Sequence, residues 1–268
     1  YDQIYDYIQA GLKQQEEQMD MQARMYSDGT ASGVNEAAAA DSASGSGGAA
    51  GCGGYSDTNV REEGVGEADT VKTDGTHMYI LSGSRVEIVN IASEEMTEVA
   101  AVTVDPDSYI RELYVEDNRL AVFYTQSRYT QGDGIDVSAR EYTCTDVYDI
   151  SDPSTPVKLN TLSQSGVYNT MRVKDGYAYV LSSFYPDTAS PRSDAGAYVP
   201  SVQGSTLEAD RIFMPEQEMG SEYTVITAFS LADPQEQTDS RAVFGSAGMC
   251  YVSGENIYVT ESCYYLCL

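Results

Sequence analysis

VKTDGTHMYILSG, running from Val71 to Gly83, reads as a complete β-hairpin. A short strand leads into Asp74-Gly75, and a more apolar strand leads out. Residues of this kind supply the positive φ that tight turns require. The second strand alternates as a sheet demands, with Met78, Ile80 and Ser82 on one face and Tyr79 and Leu81 on the other. The same unit recurs three times: LYVEDNRLAVFYT from Leu113, MRVKDGYAYVLSS from Met171 and MCYVSGENIYVTES from Met249. Their turns fall at Asp117-Asn118, Asp175-Gly176 and Glu255-Asn256, and Tyr177, Tyr179 and Leu181 repeat the Tyr79/Leu81 face.

A third strand follows the first three hairpins: RVEIVNI (Arg85 to Ile91), TDVYDISDPSTPVKL (Thr145 to Leu159) and YTVITAFSLADPQ (Tyr223 to Gln235). Asp152-Pro153 and Asp233-Pro234 close two of them, because proline cannot continue a ladder. An outer, edge-type strand comes next, as in MTEVAAVTV from Met96 and PVKLNTL from Pro156. The repeat is therefore four strands. Successive turns lie 43, 58 and 80 residues apart, and the shortest spacing is that of one propeller blade. The longer spacings predict insertions at 125–143 and 183–221, between the second and third strands. The expectation is an all-β chain, an incomplete β-propeller over 57–268 with about three and a half four-stranded blades present. A β-sandwich is the main alternative, and the phased repeat stands against it.

Two other segments precede the repeat. Ile4, Ile8 and Leu12 recur every four residues, with Tyr1 and Tyr5 beside them and glutamine and glutamate opposite, so 1–26 is expected to be an amphipathic helical arm. A stalk or frayed helix beside the linker is the first reading, and an arm that docks on the main domain or a partner is the alternative. Residues 27–56 are almost wholly glycine, alanine, serine and acids. Such a segment cannot bury enough apolar area to offset ordering, and a flexible linker is expected.

The stretch YSDTNVREEGVGEAD, Tyr55 to Asp69, followed by Val71-Lys72-Thr73-Asp74-Gly75, resembles the opening of the secreted C-terminal β-propeller family of Gram-positive bacteria and archaea, distantly related to WD40 repeats. Asp149 to Pro153 fits that family's strand ending, whereas Gly66 stands where the family has an acid. The resemblance covers roughly 55–268. It implies export, an extracellular or cell-surface location, an anchor upstream and a chain longer than this one. It carries over no catalytic residue. The chain opens on Tyr1 rather than methionine, which suggests a removed leader or an excised segment.

Composition narrows the partners. With 42 acidic and 15 basic residues the chain carries −27, which repels phosphate backbones and anionic lipid. Nucleic acid is not expected, nor membrane contact by this segment. A protein or a cell-wall glycan is the expected ligand. The five cysteines, Cys52, Cys144, Cys250, Cys263 and Cys267, form neither a redox pair nor a zinc knuckle. The single histidine, His77, reads as a rim residue beside a turn. Nucleophile-elbow, P-loop and dinucleotide motifs are absent. No cofactor is expected. The one metal with oxygen ligands on offer is calcium, through Asp133 and Asp136 in the Gln131-to-Asp136 loop. A solvated acidic turn explains the same residues.

The functional expectation is a non-catalytic binding or scaffold module. A hydrolase or lyase acting on extracellular polymer through rim carboxylates is the alternative, and a purely structural envelope component is a third reading. The insertion 183–221 is expected to carry binding through Tyr185, Arg192, Tyr198, Arg211, Phe213 and Met214, or else to cover a blade edge.

Overall fold

A computed structural model describes residues 1–27, 64–131, 137–216, 222–235, 237–253 and 255–260. The linker, from residue 28 onward, lies outside them, as do Asp133, Asp136, Cys52, Cys263 and Cys267. The described chain is β-rich and propeller-like, with one long N-terminal helix, α1 (Asp2–Ser27). No described helix is long and apolar enough to cross a membrane.

After strand β1 (Val65–Glu67), the chain folds as successive antiparallel meanders. The first contains β2 (Val71–Thr73), β3 (His77–Ser82), β4 (Arg85–Asn90) and β5 (Thr97–Thr103). The second contains β6 (Ser108–Glu116), β7 (Arg119–Gln131), β8 (Val137–Asp149) and β9 (Val157–Ser165). The third begins with β10 (Val167–Lys174) and β11 (Tyr177–Phe184). A lobe interrupts it, holding the short helix α2 (Ala195–Tyr198) and strands β12 (Ser201–Val202), β13 (Ser205–Thr206) and β14 (Ile212–Phe213). It resumes as β15 (Tyr223–Ser230) and β16 (Asp239–Phe244), and a last hairpin pairs β17 (Met249–Val252) with β18 (Ile257–Thr260).

The expected hairpins form, and the turn chemistry explains where they differ. Glu116 pairs with Arg119 across Asp117-Asn118, and Lys174 pairs with Tyr177 across Asp175-Gly176. Asp117, Asp175 and Gly176 take the required positive φ, at 49°, 51° and 75°. The first turn sits one residue later than expected, on Gly75-Thr76, because the Asp74 N–H donates to the His77 carbonyl at 3.2 Å. Asp74 instead accepts from the amides of Thr76 and His77, at 2.8 and 2.7 Å, so it caps the turn from outside. At the last turn Asn256 belongs to the closing pair: the Ser253 N–H donates to the Asn256 carbonyl, and the Ser253 hydroxyl accepts from the Asn256 amide.

Burial is between sheets. Along β7 successive residues belong to different cores. Leu120, Val122 and Tyr124 pack toward the first meander with Tyr79, Val86 and Ile88, while Ala121 and Phe123 pack toward the third with Met171, Val173, Ala178 and Val180. Of Ala178 to Leu181, expected to lie deep, Ala178, Val180 and Leu181 are fully buried and Tyr179 is half-buried. Polar side chains join the second and third meanders as well. Gln164, 3% exposed, donates through Nε2 to the Ser182 hydroxyl at 2.9 Å and to the carbonyls of Val225 and Val180 at 3.2 and 3.3 Å. Its Oε1 accepts from the Thr227 hydroxyl.

Residues 65–73 thread across all three meanders. β1 pairs with β10, Asp69 bridges to Leu113 of β6, and β2 enters the first sheet. Glu67 fixes this thread through Arg172 at 3.2 Å. Gly66, the departure from the family pattern, lies against the Tyr114 ring, which occupies the space any side chain at 66 would need.

Removing methyls from the shared core should cost measurable stability. Val180→Ala is expected to lose roughly 1–2 kcal/mol. Gln164→Ala should lose about 2 kcal/mol, because it strands buried acceptors and the Thr227 hydroxyl. The exposed Tyr129→Ala should stay within about 0.5 kcal/mol. Urea unfolding monitored by tyrosine fluorescence measures all three. A Gln164→Ala loss no larger than that of Tyr129→Ala would remove the side chain from the inter-sheet contact.

Candidate functional site

Two elongated connections rise from the same end of the stacked sheets. In the second meander, an insertion was expected at 125–143, and its described residues, 125–131 and 137–143, are strand: β7 and β8 stay in register from Thr125↔Thr143 out to Gln131↔Val137. In the third, the connection from β11 to β15 forms the lobe. The two meet where the Arg140 guanidinium donates to the Gly196 carbonyl at 2.8 Å. Between them lies a cleft of about 350 Å³, lined among others by Arg140, Glu141, Val167, Tyr185, Asp187 and Ala197.

Gly166 sets the floor of this cleft. Its φ is +100°, and an added Cβ would run into the Ser183 carbonyl carbon at 2.6 Å and the Phe184 nitrogen at 2.8 Å. Its amide donates to the Glu141 carbonyl at 2.8 Å, and its carbonyl accepts from the Thr143 hydroxyl at 2.9 Å. The backbone therefore passes between β8 and the end of β11 closer than any side chain permits.

The walls carry charge of both signs. Asp187 accepts from the Ser190 hydroxyl at 2.7 Å and from the Ala189 amide at 3.1 Å. The Ser190 bond above all, aided by the Ala189 amide and the nearby Arg140, holds its carboxyl below the usual range despite slight burial. Glu141 accepts from the Ser127 hydroxyl at 2.8 Å. Tyr185 leaves 63% of its surface exposed, and its hydrogen bond to Glu222 pushes its phenol upward. The cleft thus offers an aromatic face, one guanidinium and two carboxylates.

Of the six residues expected to bind, only Tyr185 lines this cleft. Tyr198 is corrected: it is 1% exposed, inside the lobe core, with its hydroxyl donating to the Arg192 carbonyl at 2.9 Å. Arg192 is engaged by Asp6 and Asp2 of α1 and lies over the Tyr5 ring. Arg211 pairs with Asp239 at 2.8 Å. Met214 packs on the lobe core, and Phe213 is exposed but sits on β14, away from the cleft lining. The lobe also covers edges. β12 adds to β9 through Val202↔Gln164, and β14 lies parallel to β16 through Ile212↔Ala242 and Phe213↔Val243. The covering role weighed from sequence is therefore present, and the cleft comes with it. Arg140, Glu141, Gly166 and Asp187 were not singled out from the sequence. The available signal was an Arg-Glu pair inside an alternating strand and a lone glycine between two strands.

Other ionisable groups have structural explanations. Asp146 is fully buried. It accepts from the hydroxyls of Thr161, Tyr124 and Tyr148 at 2.6, 3.1 and 3.3 Å and pairs with Lys158 at 2.5 Å. Beside it, burial pushes the Cys144 thiol up to about 11, which leaves an unreactive sulfur. His77 sits between the Thr76 hydroxyl at 3.0 Å and the Asn90 amide at 3.5 Å. Among the described residues no cluster of three or more histidines, cysteines or carboxylates could hold a metal ion. The expected calcium ligands Asp133 and Asp136 lie outside the described residues.

The family model described as "Beta propeller domain" matches residues 55–265, and the chain belongs to that family. No curated protein and no solved structure matches it.

Gly166→Ala should destabilise the protein by about 1–3 kcal/mol through positive φ and backbone collision, measured as a lower urea midpoint. A neutral result would mean that the close approach at Ser183 relaxes freely. Asp187 should leave a pH signature. Its depressed carboxyl adds stability that is fully present above the unfolded value of 3.8 and is lost as pH falls through the lower folded value. The stability gap between wild type and Asp187→Asn should therefore be constant above about pH 5 and should shrink below pH 4. A gap that widens on acidification would contradict the assigned hydrogen bonds.

Proposed function

We propose that this member of the beta propeller domain family is an extracellular or cell-surface binding module, non-catalytic, whose ligand enters the rim cleft. In this reading each meander is a propeller blade, and the chain holds three blades and the first hairpin of a fourth. The carrying observation is the convergence of the second-blade hairpin and the third-blade lobe on one walled cleft floored by Gly166. Rigid scaffolds place recognition on such connections because stacked sheets tolerate variation there.

The chemistry of the cleft favours a neutral ligand. The chain's −27 repels polyanions, and the guanidinium of Arg140 is already turned to the Gly196 carbonyl. An open tyrosine face with flanking carboxylates suits a sugar ring, through stacking and hydroxyl hydrogen bonds, so a cell-wall glycan is the partner this reading selects over a protein. No cofactor enters it. The second reading, hydrolysis through rim carboxylates, would use Glu141 and Asp187. A general acid needs a raised carboxyl, and Asp187 moves the other way.

Calorimetric titration against soluble peptidoglycan and neutral polysaccharide fragments tests the proposal. Tyr185→Ala should weaken binding at least tenfold, about 1.4 kcal/mol, with an unchanged melting temperature, while Tyr129→Ala should not. Binding that survives Tyr185→Ala would move the site elsewhere, and release of reducing ends from the polymer would favour the hydrolytic reading.

A further inference from the structure

Among the described side chains, helix α1 is buried through its first turns. Ile4 and Ile8 are buried, at 2% and 3% exposure, whereas the described side chains from Lys13 onward are exposed. The groove that receives them is formed by the lobe together with the third sheet. Tyr5 meets Tyr198 edge-on at 5.2 Å, and Tyr7 meets Phe244 at 5.0 Å. Tyr1 donates its hydroxyl to the Leu207 carbonyl at 3.1 Å, and Gln9 donates to the Thr188 carbonyl at 3.3 Å. Arg192 answers Asp2 and Asp6 from the groove wall. These are the elements of helix recognition: apolar anchors one turn apart, aromatic edges and a charge that sets the register.

We propose that this groove is a helix-recognition site that the α1 of a second copy of the chain can fill, so that two copies join by reciprocal exchange. The argument rests on selectivity and reach. Every contact is made by side chains and carbonyls that are the same in any copy, so an exchanged helix forfeits none of them. The covalent tie to the propeller is residues 28–63, which can span up to roughly 120 Å and so do not dictate whose groove is filled. The chain's own helix wins at low concentration because tethering gives it an effective concentration of about a millimolar. Exchange therefore shows itself only when self-docking is blocked.

A charge swap blocks it. In the full chain, Arg192→Glu spoils the groove for its own acidic helix, and Asp2→Arg/Asp6→Arg spoils the helix for its own groove. Each variant alone should elute as a monomer with α1 amides exchanging rapidly. Mixed equally, each helix matches the other's groove, and light scattering should report a complex of two chains with α1 protected. Two persistent monomers would overturn the proposal. A second measurement leaves the groove untouched. In the full chain carrying Ile4→Asp/Ile8→Asp, a labelled peptide of residues 1–14 should bind, and the same peptide with Asp2→Arg/Asp6→Arg should bind at least tenfold more weakly. Failure of the unmodified peptide to bind, or equal binding of both, would also overturn it.

Discussion

The structure depends on one strand being buried on both faces. β7 sits in the middle sheet, and its alternate residues serve two cores: Leu120, Val122 and Tyr124 on one side, Ala121 and Phe123 on the other. A sheet in that position has no solvent face to retreat to, so its neighbours must present complementary apolar faces at a fixed spacing. The first meander does so with Tyr79, Val86 and Ile88, and the third with Met171, Val173 and Val180. Two buried polar groups between them are held by hydrogen-bonded networks: Gln164 with the Ser182 and Thr227 hydroxyls around it, and Asp146 with its three hydroxyls.

Stacking solves the faces and leaves the edges. An outer strand such as β9 or β16 presents unpaired backbone groups, which invite association. The lobe meets that need by laying β12 along β9 and β14 along β16, and α1 then covers the lobe's own apolar surface with Ile4 and Ile8. At the inner side, the thread from Val65 to Thr73 ties three sheets together before the first meander begins. The cleft is a by-product of the same economy of space. The lobe must bend back past the second meander, Gly166 lets the backbone squeeze beneath, and a walled gap remains at Arg140 and Asp187.

Much of this fold is legible locally. The Asp-Gly and Asp-Asn turns, the strand alternation and the four-strand period are short-range signals, because hairpins need positive φ and sheets have a two-residue repeat. Even the one-residue displacement of the first turn follows from Asp74 acting as an external cap. The strand content of the second-meander insertion has an equally plain cause. Residues 125–131 and 137–143 continue the pairing of β7 and β8, and the length of a hairpin is decided by where it runs out of partners rather than by composition.

The sequence by itself determined that the chain is a repeat of four-stranded antiparallel units preceded by an amphipathic helix, since both follow from periodicity within a dozen residues. Only the tertiary structure decided what each outlying side chain does. Tyr198 looked like an exposed anchor and is core, because α1 and the lobe close over it. Arg192 looked free and is claimed by Asp6, 186 residues away. Arg140, Glu141 and Asp187 carried no signal that set them apart and share a cleft because a hairpin and a lobe from different sheets meet above Gly166. Contacts at such separations leave no period in the sequence, and only packing assigns them.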